Sequence, residues 1–144
     1  MRTFLKSFEF AIRGLKHLLL KERNFKIQFT IGLTVLTLSL LVGLEEWEFL
    51  WILFSIFFVL SLEGINTIVE ELLDFIEERY HKKVEIVKDL AAGVVLLGSM
   101  FTVIVATIIF GRALFGISRI TGLFFGIILD AFLFGLGLFG GGKR

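Results

Sequence analysis

Long runs almost free of charge dictate what this chain can become. Residues 27–44 (IQFTIGLTVLTLSLLVGL) and 90–110 (LAAGVVLLGSMFTVIVATIIF) contain no charged side chain. Residues 49–69 (FLWILFSIFFVLSLEGINTIV) contain one, Glu63. Crossing a hydrocarbon core of about 30 Å takes roughly 20 helical residues, and each run is close to that length. Backbone surrounded by lipid must satisfy its own hydrogen bonds, so the three runs are predicted to be transmembrane helices. A fourth run, 120–142, is apolar but rich in glycine and interrupted by Asp130. It fits a full span, a re-entrant segment or an interfacial helix, with the full span preferred. The expected fold class is therefore an all-α membrane protein. Its membrane unit covers residues 1–111, and a hydrophobic tail follows over 112–144.

The charges sharpen this picture. The chain is 56% hydrophobic yet 20% charged, with 15 Lys+Arg against 14 Asp+Glu, so the two kinds of residue are segregated. Such apolar content excludes disorder. The absence of Cys excludes a disulfide scaffold, a zinc-finger site and a thiol enzyme. A formal net charge of +1 argues against a nucleic-acid partner. Arg2, Lys6, Arg13, Lys16, Lys21, Arg23 and Lys26 precede the first run, and Arg79, Lys82, Lys83 and Lys88 precede the third. The turn Glu45-Glu46-Trp47-Glu48 carries no base. The positive-inside rule then predicts a multi-pass protein of the cytoplasmic membrane, with its N-terminus and the 77–89 loop in the cytoplasm. Trp47 and Trp51 fit an aromatic belt at the outer face. A fourth span returns Lys143 and Arg144 to the inside but leaves Arg112 and Arg119 outside, which counts mildly against it. No cleavable signal pattern is present, so the first span is expected to serve as its own membrane signal.

Residues 3–22 have a different period. Phe4, Leu5, Phe8, Ala11, Ile12, Leu15, Leu18 and Leu19 recur at steps of three and four, with Lys6, Ser7, Glu9, Arg13, Lys16 and His17 opposite. This is an amphipathic helix with a basic face, suited to lie among lipid headgroups.

The second span outruns the membrane. Its helical pattern continues to about Glu78, a length of roughly 45 Å at about 1.5 Å per residue. Glu63, Asn66, Glu70 and Asp74 follow at steps of three, four and four and stack on one helix face, while Glu71 and Glu78 point elsewhere. An intramembrane carboxylate costs about 2.5–3.5 kcal/mol on insertion scales, so Glu63 calls for a reason. Two carboxylates with an amide between them can hold a divalent cation through oxygen ligands, or leave one carboxylate free as a general base. Glu22-Arg23-Asn24-Phe25 lies at the start of the first span. Lys88-Asp89 lies at the start of the third, where Asp89 could equally cap the helix. Small residues at 91–93 and 98–99 offer close helix approach. Clustered carboxylates and a lysine at membrane depth fit phosphoryl transfer to a lipid. No glycine-rich nucleotide loop of the soluble kinases is present. A competing reading is a channel or transporter subunit, in which Glu63 and Asp130 line an ion path.

At these residues the sequence resembles the prokaryotic diacylglycerol kinase/undecaprenol kinase family. The resemblance is carried by Glu22-Arg23-Asn24-Phe25, Glu46-Trp47, Glu63-Gly64-Ile65-Asn66-Thr67-Ile68-Val69-Glu70 with Asp74, Tyr80-His81, and Lys88-Asp89-Leu90-Ala91-Ala92-Gly93. Order and spacing agree from about residue 4 to 111. The resemblance implies a small membrane kinase that uses ATP and Mg²⁺, with a lipid alcohol as the other substrate. It also implies a homotrimer whose active sites are shared between subunits at the cytoplasmic face. By position Glu63 matches the catalytic base, Asn66 a polar group supporting it, and Glu22 and Glu70 the carboxylates that hold metal and nucleotide. Tyr80, His81, Lys88 and Asp89 match groups near the ATP. The strings around Arg23-Asn24-Phe25 and Ala91-Ala92-Gly93 look more like the undecaprenol-kinase branch. Two departures stand out. Gly64 replaces a bulky residue beside the base and is expected to loosen the helix, and the tail beyond Gly111 has no counterpart.

Overall fold

A computed structural model describes residues 2–77, 79 and 81–140. Five helices follow in order: α1 (Arg2–Lys21), α2 (Arg23–Val42), α3 (Glu46–Ile76), α4 (Lys82–Phe115) and α5 (Arg119–Gly140). The expected all-α membrane architecture is what the chain adopts, and α2 to α5 are each long and apolar enough to cross a bilayer. α1 ends at Lys21, and one extended residue, Glu22 (φ −83°, ψ 116°), separates it from α2. Gly43 closes α2 in the left-handed conformation (φ 71°), and its N–H reaches Ser39 O. That geometry suits a residue without Cβ. Gly116 closes α4 in the same way.

α3 is the central helix. Of its apolar window 44% is buried, against 17% in each of the other spans. Its core residues Ile52 and Ile56 pack with Ile109 of α4, bordered by Val35, Leu36 and Val105. Lipid supplies no hydrophobic drive between helices, so their association depends on close packing. Glycines provide it at each junction. Gly32 of α2 lies under the Ile56 side chain, and Gly98 of α4 lies against Leu62 and Phe58. Gly93 has nothing within contact distance, whereas Gly98 makes the close approach to α3.

α5 runs antiparallel along α4. Gly122 abuts Ile108 and Thr107, and Gly126 abuts Ile104 one turn further on. Asp130 shares a cavity with Ser99 and Met100 another turn on. The tail is thus one continuous helix that retraces α4 at least to its middle, and it is long and apolar enough to cross a bilayer. Arg112, which weighed against that topology, is accounted for. Its guanidinium makes a two-pronged bond to Glu48, Nε to Oε1 at 2.7 Å and Nη2 to Oε2 at 2.6 Å. Glu48 is buried, and it also closes a capping box with Glu45 at the start of α3. Arg119 stacks over Trp47, 5.6 Å from the ring centre. Lys143 and Arg144 lie outside the described residues.

α3 stays helical through Gly64, contrary to the loosening expected there. Leu18 of α1 packs beside Gly64, at a distance where a Cβ would make an ordinary contact. The apolar face of α1 (Phe4, Leu5, Phe8, Ile12) remains exposed, as do Trp47, Trp51 and large apolar residues along every span. Exposure on this scale marks a surface made for lipid or for other chains.

Candidate active site

The site lies where α1, α2 and the last turns of α3 converge, and each helix delivers its part for a local reason. The extended residue Glu22 turns the chain from α1 into α2 and leaves its own carboxylate at the corner. α3 continues beyond the apolar run for two further turns, so its polar stripe emerges from the bundle. α4 starts at Lys82, about two turns before the apolar run, with His81 as its N-cap and charged residues in its first turns.

Glu63 is buried, at 4% exposed. One carboxylate oxygen, Oε2, accepts a hydrogen bond from Gln28 Nε2 of α2 at 3.0 Å. Its backbone carbonyl accepts from Thr67 Oγ1. Asn66, one turn on and also buried, donates from Nδ2 to Glu70 Oε1 at 2.9 Å. The oxygen of each of these carboxamides, Gln28 Oε1 and Asn66 Oδ1, is buried with no partner in the protein. Orphaned acceptors of this kind are costly unless a ligand or water completes them. Lys88 Nζ bonds Asp74 Oδ1 at 2.5 Å, tying the start of α4 to the end of α3.

Beside this stripe, His17 Nε2 of α1 meets Glu71 Oε1 at 2.9 Å. Together with Glu22 they form a group whose ligand atoms all lie within 4.8 Å of one another. Glu71, set aside by the one-face reading, therefore turns to α1 and is the α3 carboxylate grouped with Glu22. Between α2, α3 and α4 lies an apolar cavity of about 230 Å³, lined by Gln28, Gly32, Val35, Ser55, Val59 and Ser99 among others. Gln28 belongs both to this cavity and to the Glu63 contact, so an apolar body seated there would have its polar end near the buried carboxylate.

Residues 9–110 match the family described as prokaryotic diacylglycerol kinase. The chain belongs to this family. It is an ATP-dependent membrane lipid kinase, which sets aside the channel reading. Among curated relatives it is 34% identical to the undecaprenol kinase of Bacillus subtilis over 112 residues, 76% of this chain and 89% of that protein. It is 35% identical to the diacylglycerol kinase of Synechocystis over 104 residues, 72% of this chain and 59% of that protein. No solved structure matches the lipid kinase.

Of the residues the sequence singled out, the fold gathers Glu63, Asn66 and Glu70 on one face of α3, with Glu22 at the neighbouring corner. Lys88 joins them through Asp74. Asp89 is exposed inside α4, so it does not cap that helix; the cap is His81, whose Nδ1 accepts from Lys83 N at 3.2 Å. Tyr80 lies outside the described residues. The sequence reading missed Gln28, His17 and the Arg112–Glu48 pair. Gln28 left a signal: it is the one carboxamide in a run otherwise built of apolar, hydroxyl and glycine residues.

Proposed function

We propose that this kinase transfers the γ-phosphate of ATP to the hydroxyl of undecaprenol at the cytoplasmic face of the membrane, with Glu63 as general base. The observation that carries the reading is the buried Glu63 carboxylate, oriented by the Gln28 amide and one turn from Asn66. In the reaction Glu63 accepts the hydroxyl proton. The alcohol oxygen forms a bond to the γ-phosphorus, the bond from that phosphorus to the bridging oxygen breaks, and ADP leaves. Burial beneath α1 keeps water from competing as the acceptor. Gln28 holds the carboxylate in one orientation, and the apolar cavity beside it suits a hydrocarbon body.

Glu22 and Glu70 would hold Mg²⁺, with the unpartnered Asn66 Oδ1 close by on the same helix face. This all-oxygen set suits a hard cation. When bound, Mg²⁺ neutralises charge on the phosphates. Lys88 and Asp89 would lie along the nucleotide, with Tyr80 and His81 on the loop above it. The N-terminal helix lies on the cytoplasmic surface, where Lys6, Arg13 and Lys16 meet anionic headgroups. Three copies would assemble with shared active sites.

Undecaprenol is favoured because the Bacillus relative is matched over most of its length. Diacylglycerol is the second reading, supported by the Synechocystis relative. Purified protein in lipid vesicles, given radiolabelled MgATP and each alcohol in turn, separates them. Faster labelling of undecaprenol is expected. Equal and negligible labelling by wild type and Glu63→Gln with both alcohols sinks the proposal.

A further inference from the structure

The mechanism leaves one buried acid without a task. Asp130 is 3% exposed, and its Oδ2 has no hydrogen-bond partner. It sits on α5 one turn beyond Gly126, on the face that packs against α4. There the close backbone contact gives way to a cavity of about 70 Å³, lined by Leu96, Ser99, Met100, Val103, Leu133 and Phe134. Even one water needs only about 10–15 Å³ of such space, so a hydroxymethyl group has room. Leu96, Leu133 and Phe134 are about half exposed and form a rim on the outer surface of the helix pair. Ser99 Oγ donates to Val95 O, which leaves its lone pairs as acceptors. The walls offer acceptors and hydrocarbon and no fixed positive charge.

Depth selects what can fill it. Ser99 and Met100 stand near the middle of α4, so the cavity faces the centre of the bilayer. Moving an ion to that depth costs tens of kcal/mol by solvation alone, whereas an unpaired hydroxyl costs about 2–7. A phospholipid headgroup or a free hydrated cation is thereby disfavoured. A bare O–H on an apolar body reaches this depth and supplies the donor that Asp130 lacks; a carboxyl group keeps acceptor capacity whether or not it carries a proton.

We propose that the Asp130 cavity between α4 and α5 binds the hydroxyl of a membrane-dissolved long-chain alcohol, as a docking site separate from Glu63. The choice of ligand rests on the lipid-alcohol reading of the active site, so the test measures binding without turnover. The probe is a long-chain prenol with a diazirine beside its hydroxyl, photolysed in nanodiscs containing the full chain and no ATP. Labelling of peptides spanning 96–103 or 130–134 is expected. It should fall at least fivefold in Asp130→Leu, a change that fills the cavity with an apolar side chain suited to the membrane. Asp130→Asn, which keeps an acceptor, should stay within twofold of wild type. Glu63→Gln should label these peptides like wild type, which separates this site from the catalytic one. If wild type shows this labelling yet phosphorylates no alcohol, the docking site stands and the kinase reading for that alcohol falls. Equal labelling by a probe lacking the hydroxyl, or labelling unaffected by Asp130→Leu, overturns the proposal and leaves a cavity filled by water or lipid tails.

Discussion

At the scale of single residues, the catalytic reading turns on how Glu63 is held. A general base contributes roughly 10²–10⁴-fold, so Glu63→Gln should cost about that much in kcat, read by γ-phosphate transfer in vesicles. Gln28→Leu tests the orientation separately. It removes one hydrogen bond to a charged group, worth about 1.5–3 kcal/mol, so kcat should fall about tenfold or more while the KM for ATP stays unchanged. Equal activity would mean that the 3.0 Å contact does not orient the base. Glu70→Gln should raise the Mg²⁺ concentration needed for half-maximal rate, and an unchanged titration removes it from the ligand set. The stripe from Glu63 to Asp74 was legible in the sequence because residues three and four apart on one helix must share a face. Gln28 with Glu63, and His17 with Glu71, were not. Each pair joins two helices, and their relative rotation is set by packing at Gly32 and Leu18 that no single-helix period encodes.

At the scale of elements, the tail helix α5 is added to the membrane unit through a glycine seam against α4 and the Arg119–Trp47 contact. Hydropathy picks out the apolar part of α4 but not its full extent, since its first turns carry Lys82, Lys83, Glu85 and Lys88. Hydropathy also could not choose among fates for 120–142. Gly122 and Gly126 let α5 pack closely on α4, against the Ile108 and Thr107 backbone at the first and the Thr107 hydroxyl and Ile104 at the second. A Cβ at 126 would stand 3.0 Å from Ile104 Cα and 2.6 Å from Thr107 Oγ1. Gly126→Leu should therefore push α5 off α4. The chain has no native Cys, so cysteines introduced at Met100 and Phe134 give a clean reporter. Their cross-linking by a short bis-maleimide should drop severalfold in Gly126→Leu, and an undiminished yield would show that the seam tolerates bulk. At the far end, Arg112→Ala leaves the buried Glu48 charge without its main partner. Removing one member of a buried pair is worse than replacing both by apolar residues. The thermal midpoint in detergent should thus fall by several degrees in Arg112→Ala and fall less in Arg112→Met combined with Glu48→Leu.

At the scale of the whole molecule, the single chain leaves most of its spans open. Only α3 is substantially enclosed, while α2, α4 and α5 each bury a small share of their apolar windows. Lipid can cover such faces, but so can further copies, three of them with shared sites in the assembly proposed above. The two arrangements differ in what a mixture of defective chains can do. Glu63 sits on α3, whereas Lys88 and Asp89 begin α4. If a site draws Glu63 from one copy and Lys88-Asp89 from its neighbour, a Glu63→Gln chain beside a Lys88→Met chain retains one intact combination. Each variant alone lacks a group in every site. Subunits mixed before reconstitution should then recover a measurable fraction of wild-type phosphoryl transfer, while the same variants reconstituted in separate vesicles and then combined should not. Failure to recover in mixed assemblies would confine each site to one chain. The Lys88–Asp74 contact within a single chain would then describe the working geometry.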